Sequence, residues 1–190
     1  MFSILFPIAE RFVETILDLS ALDAGRIPFS STPLVLQDVL KVLKRELETI
    51  PGAQRVGWEI PEGLPFIYSD EHALVSIFFH LIDNAIKYAP TGPIIVTAKA
   101  DSPHMVIQVV DHGPGIPTEA LPLLFKKFYR FQQEDAQTVY GHGLGLYIVR
   151  RLLQMMGGDI QATNPPEGGV CFTFWLPIIE EKDEIDNPVS

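Results

Sequence analysis

The amino-acid sequence predicts an α+β fold. It reads as a two-layer α/β sandwich in which a mixed sheet of about five strands carries three helices on one face. Three observations point there. Segments with helical apolar spacing alternate with short runs rich in Val, Ile, Phe and Thr, so helices and strands are interspersed along the chain. Several neighbouring β-rich runs are separated only by short turns, which favours hairpins over a purely parallel sheet. The helical segments are apolar along one stripe, so each buries a single face.

At 190 residues, 47% of them apolar, the chain suffices for one good-sized domain with a small appendage. The formal net charge of −10, without a long basic cluster, excludes sequence-independent nucleic-acid binding, which needs Lys and Arg to replace counterions. A single cysteine, Cys171, excludes an internal disulfide framework and a cysteine-rich metal site, and fits a reducing cytosol. "MFSILFPIAERF" has no basic start, and Pro7, Glu10 and Arg11 interrupt it, so it is not read as a signal peptide. No segment approaches the ~20 apolar residues of a membrane span, so the chain is expected to be soluble and cytoplasmic, without membrane contact of its own.

Taken in order, Leu5, Ile8, Phe12, Ile16, Leu19 and Leu22 recur at steps of three and four and predict a helix ending near Gly25. Its stripe fits either a partner helix or its own domain's core. "RIPFSST" reads as a short strand. Leu34 to about Ile50 reads as a helix with Pro33 at its start and "PG" after its end. Strands follow around "RVGWEI" and "PFIYS". Ser69-Asp70 offers an N-cap to a helix reaching about Tyr88, whose apolar positions are Leu74, Ile77, Phe78, Leu81, Ile82 and Ala85. "PIIVTAKA" and "HMVIQVVD" predict a hairpin, "LPLLFKKFYRF" is apolar-aromatic, and "QQEDAQTVY" is polar and irregular. A helix over Leu144–Met156 ends at Gly157-Gly158. "DIQATN" and "VCFTFWLPI" form a strand pair around "PPEGG", the tail "EEKDEIDNPVS" is acidic and expected to be mobile, and no internal repeat is present.

Three stretches carry chemistry. His80, Asn84 and Lys87 share one helical stripe. That stripe is either a solvated flank or a cleft wall, in which an Asn carbonyl suits Mg²⁺ and a Lys suits a phosphate. "DHGPGI" places Asp111 at a strand end, followed by Gly113 and Gly115. It is either an ordinary Gly-Pro turn or a place where a flat ligand approaches backbone beside a carboxylate. In "VYGHGLGLYIVRRLLQMMGG", Gly141, Gly143 and Gly145 lead into a helix, an arrangement whose backbone N–H groups converge on an anion. The stretch is neither GxxxxGK[ST] nor GxGxxG after a strand, so it is neither a P-loop nor a dinucleotide fingerprint. The VAIK, HRD and DFG signatures of protein kinases are also absent.

In order, "HLIDNAIKYAP", "DHGPGI", "LFKKFYRF", "GHGLGL" and "GGVCFTFWLP" resemble the N, G1, F, G2 and G3 boxes of bacterial sensor histidine kinases. These boxes belong to the ATP-binding catalytic domain of the superfamily that includes DNA gyrase, Hsp90 and MutL. The resemblance spans about Arg26 to Ile178, and five motifs in order make it specific where each alone is weak. "FVETILDLSALDAG" is similar to the end of the second helix of the family's dimerisation and phosphoacceptor hairpin. The resemblance therefore implies residues 1–25 as part of that hairpin, 26–178 as a Bergerat-type ATP-binding domain, and 179–190 as a tail.

The family's residues carry over by position. Asn84 resembles the Mg²⁺-binding Asn, and Lys87 and Tyr88 line the phosphates. Asp111 matches the acceptor of the adenine amino group, with Gly113, Gly115 and Ile116 beside the base. Phe128 lies in the F box and Arg130 matches the arginine that reaches the terminal phosphate. Gly141, His142, Gly143, Leu144 and Gly145 match the loop whose amides hold the phosphates, and about 131–140 matches the flexible ATP lid. The implied activity is transfer of the γ-phosphoryl group of Mg²⁺-ATP to a histidine, with Asn84, Lys87 and Arg130 as the catalytic set. The implied partners are a phosphoacceptor histidine domain, a response regulator and, for a parent protein soluble or membrane-anchored, a second copy of itself.

The sequence departs from the family pattern in two places. His80 stands where the family often has Asn and the gyrase-like ATPases have a water-activating Glu, which argues against a dedicated hydrolase. It reads either as a base or as a solvated histidine beside the metal. None of His72, His80, His104, His112 or His142 sits in a phosphoacceptor context, so the chain is expected to be a piece of a longer kinase. His112 and His142 are read as bystanders. A nucleotide-binding module that signals by conformation is the competing class, followed by a hydrolase of the superfamily and a serine kinase of the anti-sigma type.

Overall fold

The computed structural model describes residues 30–131 and 143–179. Along the chain these form β1 (Thr32–Leu34), α1 (Leu36–Leu47), β2 (Val56–Glu59), β3 (Ile67–Ser69), α2 (Glu71–Tyr88), β4 (Ile94–Asp101), β5 (His104–Val110), α3 (Gly145–Met155), β6 (Asp159–Thr163) and β7 (Cys171–Pro177). Short 3₁₀ turns cover Ala53–Arg55 and Leu121–Leu123. Five strands make one sheet in the order β2-β4-β5-β7-β6, while β1 and β3 pair separately. β2 runs parallel to β4 and the remaining neighbours are antiparallel, so the sheet is mixed, as predicted.

Period-two alternation decides which face is buried. Val96, Ala98, Met105, Ile107, Val109, Phe172, Phe174 and Leu176 all point to the helices and are nearly inaccessible. The register aligns them in rows, with Ile107 opposite both Ala98 and Phe174, and Phe174 opposite Ile160. Phe78 of α2 meets Phe174 edge-to-face, with ring centroids 5.5 Å apart. Each such aromatic contributes about 1.5–3 kcal/mol through burial. The opposite face is polar or half-exposed, as at the cross-strand Gln108–Thr173 hydrogen bond of 3.2 Å. Two layers therefore account for the domain, with all three described helices on one face.

The helices follow from their spacing and ends. α1 buries Leu36, Val39, Leu40, Leu43 and Leu47. α2 starts where Asp70 accepts from the Ala73 N–H at 3.0 Å, the cap the sequence predicts. α3 closes at Met156, with the Gly158 N–H reaching back to the Leu153 carbonyl at 2.9 Å and Gly157 in the left-handed region. Two local expectations need correction. Leu34 and Pro33 belong to β1 and not to the first helix, because they pair with Ile67 and Tyr68 of β3. An edge strand tolerates proline, which has no N–H to lose there. The helix also ends at Leu47, short of Ile50. "PFIYS" supplies β3, the strand expected there, which pairs with β1 in the small sheet. The predicted N-terminal helix, most of "RIPFSST", the lid residues after Phe131, Gly141, His142 and the acidic tail lie outside the described residues.

Candidate functional site

The loop that leaves β5 is closed by the chain entering β7. The Asp111 N–H donates to the Val170 carbonyl at 3.0 Å, and the Val170 N–H returns to Asp111 Oδ1 at 3.2 Å. Gly113 N–H also donates to Oδ1, at 2.9 Å. Both described hydrogen bonds to this carboxylate fall on Oδ1, which leaves Oδ2 able to accept from a ligand. Asp111 is 5% exposed. Burial pushes its carboxyl above the usual aspartate range, opposed by the Gly113 and Val170 amides and the charge of His112.

The close approach of these two chains needs glycine at position 169. Its φ is +85°, and a Cβ there would lie 1.8 Å from the Asp111 carbonyl oxygen. On the far side, Asn164 at the end of β6 pairs with both backbone groups of Ile116. Its Oδ1 accepts the Ile116 N–H at 3.1 Å, and its Nδ2 donates to the Ile116 carbonyl. Between these segments lies a cleft of about 340 Å³ lined by Pro114, Gly115, Ile116, Pro117, Asn164, Gly168 and Gly169. Small residues and a planar amide make this a slot for a flat group, next to a carboxylate that accepts hydrogen bonds.

A second region forms where α2 meets the start of α3. His80, Asn84 and Lys87 share a stripe beside the buried Leu81, Ile82 and Ala85. Gly145 packs on His80, whose Nδ1 is 3.4 Å from where a Gly145 Cβ would stand. The N-terminus of α3, whose first N–H groups have no partner within the helix, thus abuts α2 one turn before Asn84. Gly143 has φ +68° and accepts the Phe128 N–H at 3.0 Å, and a Cβ on it would lie 2.7 Å from the Tyr129 carbonyl oxygen. The "FKKFYR" segment is therefore stapled to the glycine loop. Phe128 itself has φ +64° and is 64% exposed, a strained conformation for an aromatic residue.

The predicted residues separate into these two groups. Gly115 and Ile116 line the cleft, and Asp111 and Gly113 lie behind its wall, joined to it through the Gly113 and Val170 amides. Gly143 packs on Phe128 and Tyr129, next to Arg130 in the chain, and Gly145 packs on His80, one turn before Asn84 and two before Lys87 on α2, while Tyr88 stands at the end of α2 with its side chain exposed. Leu144 is 2% exposed, so its side chain belongs to the core and only its backbone faces the junction. Lys87 pairs with Asp83 one turn earlier. Half-buried Asn84 has no side-chain hydrogen bond among the described residues, leaving a carbonyl oxygen for a cation. His112, read as a bystander, holds the Pro93 carbonyl through Nδ1 at 3.0 Å. Sequence reasoning missed Asn164 and Gly169. The pair Gly168-Gly169 gave a signal as part of "GGVCFTFWLP", whereas Asn164 sits 48 residues from its partner and gave none.

Comparison with known proteins bears on the family and the fold. The model of the histidine kinase-, DNA gyrase B- and HSP90-like ATPase family matches residues 69–180. Sensor protein KdpD of Escherichia coli (strain K12) is 34% identical over 169 residues, covering 88% of this chain and 18% of KdpD. Adaptive-response sensory kinase SasA of Trichormus variabilis is 36% identical over 147 residues, covering 76% of this chain and 36% of SasA. The chain thus spans only 18% and 36% of the lengths of these two relatives. Full-length ShkA in complex with AMPPNP is similar in structure, with a TM-score of 0.73 and 29% identity over 87% of this chain and 35% of that one. The catalytic domain of histidine kinase ThkA, at 24% identity and a TM-score of 0.66 over 78% of this chain and 96% of that one, shares the fold. Among the described residues no helix is long and apolar enough to cross a membrane. With a match that takes in Asn84, Asp111 and Gly143–Gly145, the chain belongs to the histidine kinase-, DNA gyrase B- and HSP90-like ATPase family.

Proposed function

We propose that this chain binds Mg²⁺-ATP and is the catalytic part of a protein-histidine kinase, passing the γ-phosphoryl group to a histidine on a separate dimerisation domain. The observation that carries this reading is the buried Asp111 carboxylate, held through Oδ1 by two backbone amides beside a glycine-lined slot. Oδ2 accepts the adenine amino hydrogen, and the slot takes the flat base. The phosphates lie toward the N-terminus of α3, where amides of the Gly143–Gly145 loop, Lys87 and Arg130 offset their charge. The acceptor imidazole nitrogen attacks the γ-phosphorus as the bond to the β-phosphate oxygen breaks. ADP leaves with that oxygen and the imidazole proton passes to solvent.

The residues fit a magnesium ion held mostly by phosphates. Among the described residues no group of three or more His, Cys, Asp or Glu could hold a metal, so these residues form no protein cage for it. Asn84 Oδ1 is a hard oxygen of the kind that completes a shell of phosphates and waters. Bound there, Mg²⁺ supplies neutralisation of phosphate charge.

In this reading residues 1–25 continue the dimerising hairpin of a longer cytoplasmic-facing kinase, 26–178 form the catalytic domain, and 179–190 are a tail. A second copy, the phosphoacceptor domain and a response regulator are its partners. The test is to mix the chain with the histidine-bearing hairpin of its parent and γ-labelled ATP. Acid-labile phosphohistidine is expected. Nucleotide binding without transfer contradicts kinase activity and favours a binding module. Steady phosphate release without transfer favours a hydrolase, a reading that His80 in place of a carboxylate opposes.

A further inference from the structure

Arg55 sits far from the cleft in sequence and touches none of its lining, yet it holds the ground on which the Asp111 loop rests. The 3₁₀ turn Ala53–Arg55 packs on α2 through Gly52, whose Cβ position is 3.0 Å from the Ile86 side chain. This brings the half-buried Arg55 guanidinium under the C-terminus of α2. Its Nη1 donates to the Ala89 and Gly92 carbonyls, both at 2.8 Å, and Nη2 makes a longer 3.5 Å contact with the Ile86 carbonyl. Carbonyls at a helix end have no partner within the helix, and a cation there also opposes the helix dipole. A planar, multi-donor guanidinium gathers them where an ammonium would satisfy fewer.

The segment that Arg55 fixes, 89–93, is the floor of the Asp111 loop. The Tyr88 carbonyl oxygen and Ala89 Cβ each lie 3.1 Å from where a Gly113 Cβ would stand. The corresponding position on Gly92 lies 3.3 Å from His112 Cβ, and His112 Nδ1 is 3.0 Å from the Pro93 carbonyl. Gly113 in turn donates to Asp111 Oδ1. One side chain thus sets the height of the backbone that supports the carboxylate.

We propose that Arg55 is a positioning residue for base recognition: by clamping the end of α2 to the 89–93 segment, it holds Asp111 where its carboxylate reads the adenine amino group. The inference rests on the role proposed for Asp111. The test measures Kd for Mg²⁺-ATP and Mg²⁺-ITP, which has an oxo group in place of the amino group, on the wild type, D111N and R55M. The wild type is expected to prefer ATP by about tenfold or more, a margin set by a buried acceptor that ITP leaves unpaired. R55M, folded by circular dichroism, is expected to lose about fivefold or more in ATP affinity and less than about twofold in ITP affinity, so that the ratio collapses. A merely structural arginine lowers both affinities in proportion or neither, and that result overturns the proposal. Should R55M fail to fold, R55Q, which keeps one amide donor, decides by the same ratio. A wild type indifferent to the base overturns the Asp111 reading itself, and the inference with it.

Discussion

The two halves of the candidate site are built in different ways. Around Asp111 the chain is closed upon itself. A 5%-exposed carboxylate, two backbone amides, the Asn164–Ile116 pairing and the Gly169 crossing leave little freedom. At the junction of α2 and α3 the charged groups are at the surface. Lys87 is engaged by Asp83, and Arg130 and Phe128 are exposed. A preorganised pocket contributes affinity and selectivity without further ordering, whereas solvated charges are screened and must be gathered by the ligand. The base side should therefore set whether a nucleotide binds and which one, and the junction should set what happens to its phosphates.

Substitutions on the two sides should consequently differ in size and in kind. Asp111→Asn removes the charged acceptor, and the loss of about 1.5–3 kcal/mol corresponds to an affinity fall of about ten- to a hundredfold in an equilibrium titration. It should leave thermal stability unchanged or higher, because the carboxylate is held above its ordinary pKa of 3.8 by burial. The sign follows from linkage. The stability associated with this raised group is complete below the unfolded pKa and is lost as pH rises through the folded one, so at neutral pH the charged carboxylate is a net cost. A clear drop in melting temperature together with intact binding would reverse the comparison.

Gly143→Ala should come next. The residue has φ +68° and its Cβ would press on the Tyr129 carbonyl, a strain of about 1–3 kcal/mol visible as a lower denaturant midpoint and as weakened triphosphate binding. Adenosine binding should be spared. The pH dependence is a subtler check. Affinity for adenosine, which has no phosphate to titrate, should decline as pH falls through the raised Asp111 pKa, at higher pH than an exposed aspartate would dictate, and the slope should vanish in Asp111→Asn. Lys87→Ala should have the smallest effect, about threefold or less in Kd and shrinking further in high salt, because an exposed charge contributes about 0–1 kcal/mol. A tenfold loss there would mean that the junction is preorganised after all.

Most of the architecture was legible in the sequence because it rests on local period and local caps. Leu74, Ile77, Phe78, Leu81, Ile82 and Ala85 announce α2, Asp70 announces its start, and Gly157-Gly158 the end of α3. Leu34 was misread because its membership of β1 depends on Ile67, 33 residues away in the chain, and helical spacing alone cannot see that pairing. The site divides similarly. Asp111, Gly113, Gly115 and Asn84 stand out as residue types in motifs, and Gly143 as a glycine at a helix entrance. Asn164 and Arg55 act entirely through backbone carbonyls and amides distant in sequence, so nothing local to "DIQATN" or "RVGWEI" marks them.

The most direct measurement is amide chemical-shift mapping with adenosine and with Mg²⁺-ATP in parallel. Adenosine alone should shift the amides of Gly113, Ile116, Gly169 and Val170 and leave Gly145 and Leu146 in place, while Mg²⁺-ATP should shift both sets. Perturbation of Gly145 by adenosine, or Mg²⁺-ATP shifts that bypass Gly113 and Val170, would contradict a base site at Asp111 and a phosphate site at the entrance of α3.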